Sequence, residues 1–108
     1  MRRRLEVTPQ ARRDVAAILE WYRQNLGAKS ALKVAKTLRL RTAALAAGRV
    51  RGVETAPSSQ CKRAAAKKHV IIFSIEADAI RIARIVHGAQ DLEAIVESLD
   101  DGAPDESA

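Results

Sequence analysis

The sequence predicts an α+β domain with the element order β-α-α-β-β-β-α. A helical hairpin packs on a small, mostly antiparallel four-stranded sheet, and a C-terminal helix follows. Three observations lead there. Two long stretches with apolar residues at helical spacing come early and are separated by a very short link. Three strand-like runs then follow one another. A last helical stretch comes after them. Paired helices and consecutive strands mark the segregated, α+β arrangement.

Each element has a local reason. "RRLEV" (3–7) places Leu5 and Val7 two apart, as in a short strand. Thr8 can cap a helix, and Pro9 suits its first position, where no intrahelical N–H is needed. Ala11, Val15, Ile18, Leu19, Tyr22 and Leu26 then give one apolar face, and Gly27 supplies the C-terminal αL position. A second helix is expected from about Ser30, with Ala31, Val34, Ala35, Leu38 and Leu45 inward, lysines 29, 33 and 36 on another face, and Gly48 as its stop. A link this short forces the two helices into an antiparallel hairpin. The stretch 48–60 is rich in Gly, Ser and Pro and reads as a loop. "CKRAAA" and "HVIIFSI" read as strands joined through Lys67-Lys68, and "AIRIARIVH" as another after the turn at 76–78. Leu92, Ile95, Val96 and Leu99 return to helical spacing, with Asp91 as a cap. The domain is thus expected over 1–99, with 100–108 as an acidic flexible tail.

Composition narrows the function classes. The formal net charge is +6, but residues 1–90 carry 19 basic and 6 acidic side chains, a net of +13, and no Lys or Arg follows Arg84. A basic body favours an acidic partner, protein or nucleic acid; a merely soluble basic domain is the plainer alternative. Trp21, Tyr22 and Phe73 are the only aromatics, which leaves little for base stacking. Cys61 is the only cysteine, so no internal disulfide forms, and a reducing compartment fits. No apolar run approaches a membrane span, and Met-Arg-Arg-Arg lacks the apolar segment of a secretory signal. The expected location is cytoplasmic, with no membrane contact.

The order of elements and four sequence pieces resemble the RelE/ParE superfamily of type II toxin–antitoxin toxins, most closely the ParE, or plasmid-stabilisation, branch. "TPQARRDVAAILEWY" resembles the family's opening, Ala-x-x-Asp-Leu-x-x-Ile-x-x-Tyr. "LAAG" resembles the close of its second helix. "CKRAAAKKHVIIFS" and "IRIARIVHGAQDLE" resemble its Leu-Arg…His-x-Ile-x-Tyr and Ile-x-Ile-x-Arg-Val-Leu-His-x-x-x-Asp patterns. Cys61 stands where Leu is usual, and Phe73-Ser74 where Tyr-Arg is common.

The resemblance implies a non-enzymatic toxin that binds and inhibits DNA gyrase and is neutralised by a ParD-type antitoxin. It implies no cofactor and no sequence-specific nucleic-acid binding. The alternatives are a RelE-like ribosome-dependent endoribonuclease and a relic that still binds its antitoxin. RelE-like chemistry needs acid–base groups at the ribose 2′-OH and the leaving oxygen. No aromatic follows Phe73, and His69 and His87 are the only conventional near-neutral acid–base candidates; each reads as structural before catalytic, as does Tyr22 on its apolar helix face. No metal-ligand cluster, phosphate-binding glycine loop or nucleophile elbow is present, so no catalytic residue is assigned.

The antitoxin-binding candidates are Trp21, Arg63, Arg81 and Arg84. Trp21 sits off the apolar stripe and reads either as partial core or as a partner anchor. Arg81 and Arg84, three apart in a strand, are expected on opposite faces. Each must reach water or a carboxylate, and the acids foreseen nearby are Glu76, Asp78 and Asp91.

Overall fold

The computed structural model describes residues 3–50, 53–54, 61–88 and 92–100. The elements run β1 (Arg4–Val7), α1 (Pro9–Leu26), α2 (Ala28–Ala46), β2 (Val53–Glu54), β3 (Lys62–Ala66), β4 (His69–Ile75), β5 (Ala79–His87) and α3 (Leu92–Asp100). The predicted α+β order is the observed one. The addition is β2, a two-residue strand inside the stretch read as loop, pairing Val53 with Arg63 and Glu54 with Lys62. The sheet order is β1-β5-β4-β3-β2, with β1 parallel to β5 and the other pairs antiparallel.

Thr8 and Pro9 start α1 as the sequence predicts: the Thr8 hydroxyl accepts from the Ala11 N–H at 3.1 Å. Gly27 alone links the helices. Its φ of 94° and ψ of 167° lie outside αL, in a region open to glycine, and α2 therefore begins at Ala28, two residues before the expected start. Gly48, at φ 76°, ends the second helical stretch as expected. Leu26 departs from the predicted buried face. It stands at the hairpin tip, beside the one-residue link, and is 58% exposed.

Two apolar clusters hold the layers. On one face of the sheet the helical hairpin covers Ala64, Ala66, Ile71, Phe73, Ile80, Ile82 and Ile85, meeting them with Ala11, Leu38 and Leu45. On the other face α3 brings Ile95, Val96 and Leu99 onto Cys61, Ile72 and Val86. A sheet buried on both faces explains the near-continuous apolar run of β4, in which Ile71, Ile72 and Phe73 are all at most 1% exposed.

β1 covers β5 only as far as Ile82. Beyond that point Thr8 and the Asp14 side chain of α1 take over the edge. The Thr8 N–H donates to the Ile82 carbonyl, the Thr8 hydroxyl donates to the Ala83 carbonyl, and the Ile85 N–H donates to the Asp14 carboxylate at 3.0 Å. A free strand edge is a site of unwanted pairing, and Thr8 and Asp14 close part of this one. Asp100, expected to begin the tail, is instead the last residue of α3, and the expected cap Asp91 and residues 101–108 lie outside the described residues.

Candidate functional site: the arginine face of the sheet

Strand parity decides where the arginines point. In the β4–β5 ladder Phe73 pairs with Ile82 and Ile72 with Arg84, so Ala83 is an extra, unpaired residue. This β-bulge resets the alternation. Ile80, Ile82 and Ile85 all face the helical hairpin despite their uneven spacing. Arg81 pairs with Ser74 and Arg84 with Ile72, two residues apart on β4, so both lie on the α3 face. The expectation of opposite faces is thereby corrected: it assumed an unbroken period of two.

Arg63 joins them, because it pairs with the same Ile72 from the other side. With strands about 4.8 Å apart and about 3.3 Å per residue, the Cα atoms of Arg63, Arg81 and Arg84 fall within about 12 Å of one another. Helix α3 covers Ile72 and Val86 on this face, while Arg63 and Arg81 stay exposed.

The two strand arginines then diverge. Arg84 grips Asp14 through a fork, Nε to Oδ2 at 2.7 Å and Nη2 to Oδ1 at 3.1 Å, with side-chain exposures of 25% and 10%. Gln10 adds a further donor to Asp14 at 3.3 Å. The carboxylate that holds Arg84 therefore comes from α1, not from Glu76 or Asp78 as foreseen, and Asp91 lies outside the described residues. Asp78 instead takes Arg4, and the Glu76 carbonyl accepts from Arg3. Among the described residues neither Arg63 nor Arg81 has an ion-pair partner. Arg81 does have Glu6 as its register neighbour on β1, but Glu6 bonds Arg4 at 2.6 Å.

Trp21 does not join this group. It is 55% exposed on α1, which packs on the opposite side of the sheet, and its ring meets Tyr22 edge-on at 5.2 Å. Tyr22 leads into a second cluster that the sequence did not reveal as one. His69 is 5% exposed and lies between Tyr22, with centroids 5.9 Å apart, and its cross-strand partner His87 at 5.8 Å. The signal was available: His69, Ile71 and Phe73 share one parity, so His69 had to face the hairpin. Burial, then the neighbouring His87 and Lys68 charges, push the His69 imidazole below its ordinary pKa. A buried imidazole held neutral between two rings is chiefly a packing element.

Among the described residues, no group of three or more His, Cys, Asp or Glu is placed to hold a metal ion, and no helix is long and apolar enough to cross a membrane.

Residues 5–92 match the family profile described as the ParE toxin of the type II toxin–antitoxin system parDE. A search of curated protein sequences returns no match. Among solved structures, the chain is similar to one described as the chromosomal ParDE TA system from P. aeruginosa. The TM-score is 0.66 at 22% identity, covering 79% of this chain and 95% of that one. At that identity the likeness speaks for the fold.

Proposed function

Because the chain belongs to the ParE toxin family of type II toxin–antitoxin systems, we propose that it is a cytoplasmic toxin that acts by binding DNA gyrase and is neutralised by a ParD-type antitoxin. The antitoxin docks on the α3 face of the sheet. One observation carries that placement: Arg63 and Arg81 are exposed on a face of isoleucine and valine, with no carboxylate of the described chain paired to either. Guanidinium groups beside apolar surface suit an acidic segment that folds on contact. Arg84 is already held by Asp14 and takes a positioning part, keeping β5 against α1.

The gyrase half of the proposal is supported by the family alone. The test is induction of the chain in growing cells, with supercoiling by purified gyrase read in parallel. Loss of supercoiling with ribosome-bound messenger intact is the expected result. Codon-specific messenger cleavage with normal supercoiling sinks it, and no toxicity at all selects a relic.

A second reading has one observation in its favour. Tyr22, His69 and His87 stand in one corner beside Lys67 and Lys68, a hydroxyl, two imidazoles and two ammonium groups. These are groups that a ribonuclease could use. The depth of His69 weighs against it.

For the dock, Arg63→Ala and Arg81→Ala should each weaken antitoxin binding by about 2–5 kcal/mol where the charge pair is desolvated. Arg84→Ala should act mainly on stability. Unchanged binding by both surface variants, measured by calorimetry, removes the dock from this face.

A further inference from the structure

On the hairpin side of the sheet, α1, α2 and the β3–β4 turn leave a half-open hollow of about 200 Å³. Its floor is buried: Leu38, Ala66 and His69 are 4%, 3% and 5% exposed. Tyr22 and Val34 form its walls. Its mouth carries Lys67 and Lys68, both exposed and neither with an ion-pair partner among the described residues. Helix α2, which makes the outer wall, holds no acidic residue. The hollow is therefore apolar inside and cationic at its rim.

Lys67 adds an independent observation. It has a φ of 57°, the only non-glycine positive φ among the described residues. It is the first residue of the two-residue turn that joins the pair Ala66 and His69. Gly, Asn or Asp take that conformation at less strain. No bond of the Lys67 side chain among the described residues offsets it. Backbone strain without a local return is grounds for a functional hypothesis.

We propose that this hollow is a docking pocket for one large apolar side chain of an acidic peptide segment, whose flanking carboxylates pair with Lys67 and Lys68. It rests on the reading that the chain has an acidic neutralising partner, and it gives that partner a second foothold, across the sheet from Arg63 and Arg81. Trp21, edge-on to Tyr22 at the wall, extends the apolar surface beside the pocket. A segment that reaches both footholds wraps the edge of the domain, which explains an exposed tryptophan far from the arginine face. Nucleic acid suits the hollow less. Of its two rings His69 is buried and Tyr22 is tilted against it at 56°, and the rest of the lining is mainly aliphatic, so it offers little for stacking a base.

The test uses the full chain and the purified antitoxin encoded in the adjoining reading frame, with fluorescence of Trp21, the single tryptophan, as the readout. Lys67→Gly relieves the strain and removes the charge; it should melt higher than wild type yet bind about tenfold more weakly. Val34→Phe fills the hollow without adding a tryptophan and should weaken binding at least tenfold; should it fail to fold, Lys68→Glu serves in its place. Arg81→Glu is the control on the other face. Lys67→Gly and the filling variant binding like wild type, while Arg81→Glu binds weakly, overturns the pocket and leaves the antitoxin reading standing. No binding even by the wild-type chain overturns both. Binding of an oligoribonucleotide that Val34→Phe abolishes, with antitoxin affinity unchanged, also overturns it and assigns the hollow to RNA.

Discussion

Asp14 is the residue whose removal should cost the fold most for its size. Its carboxylate accepts from Arg84 twice, from the Ile85 backbone N–H and from Gln10, and is 10% exposed. Asp14→Ala strips all four bonds at once. It leaves a guanidinium short of its partner and an edge N–H uncovered. Breaking a buried ion pair costs about 3–5 kcal/mol. Arg84 is 25% exposed and can recover some water, which lowers the expected loss to about 2–4 kcal/mol. Asp14→Asn keeps the shape and one acceptor oxygen, so about 1–2 kcal/mol is expected. Arg84→Met leaves the more buried Asp14 carboxylate with only the Ile85 N–H and Gln10 as donors among the described residues, so a loss of about 2–4 kcal/mol is expected there too. Urea unfolding followed by circular dichroism measures all three, with the double variant closing a cycle. The coupling between Asp14 and Arg84 should exceed about 1 kcal/mol. Should Asp14→Ala lie within about 0.5 kcal/mol of wild type, the edge-closing role assigned to Asp14 is wrong.

Three further expectations follow from other parts of the molecule. The His69 pKa is held below its unfolded value, so the neutral ring is the folded form; stability is full above about pH 6.5 and declines as pH falls from there toward the lowered folded pKa, and His69→Gln should flatten that slope in unfolding titrations. Lys67→Gly should raise stability by about 1 kcal/mol through relief of the positive φ, visible as a higher melting temperature, and an unchanged or lower value would deny the strain. Ending the chain after Leu99 should leave the melting temperature nearly unchanged, since the remaining sequence has no apolar periodicity, and a large drop would mean that it docks on the basic body.

What could be read from the sequence was what local chemistry decides. Thr8, Pro9, Gly27 and Gly48 mark helix ends because caps, imino rings and positive φ act over a few residues, and apolar spacing did the same for the helices and strands. The bulge escaped because parity arguments carry one assumption along a whole strand, and a single extra residue at Ala83 inverts everything after it. Its trace was present: Ile80, Ile82 and Ile85 break the alternation. The Asp14–Arg84 fork escaped for a different reason. The two residues are 70 positions apart, and nothing local in "ARRDVAAIL" says which strand will receive the carboxylate. The strained turn at Lys67 escaped because its residue type gives no turn signal. Of the four site candidates, the three arginines meet on one face and Trp21 does not, since a helix position can be read from spacing but its side of the sheet cannot.

The parallel pairing of β1 with β5 has a consequence for synthesis. Arg4 meets Ala79, and Thr8 meets Ala83, each across 75 positions of sequence. A hairpin of helices can form early, but β1 has no strand to join, and Asp14 no arginine, until β5 has left the ribosome. At about 5–20 residues per second, roughly 4–15 s of synthesis separate β1 from the strand it joins. Contacts this distant in sequence also slow closure once the chain is free. Arg63 and Arg81 come onto one surface only with that last strand. The emerging chain is thus without its assembled arginine face until β5 has cleared the ribosome.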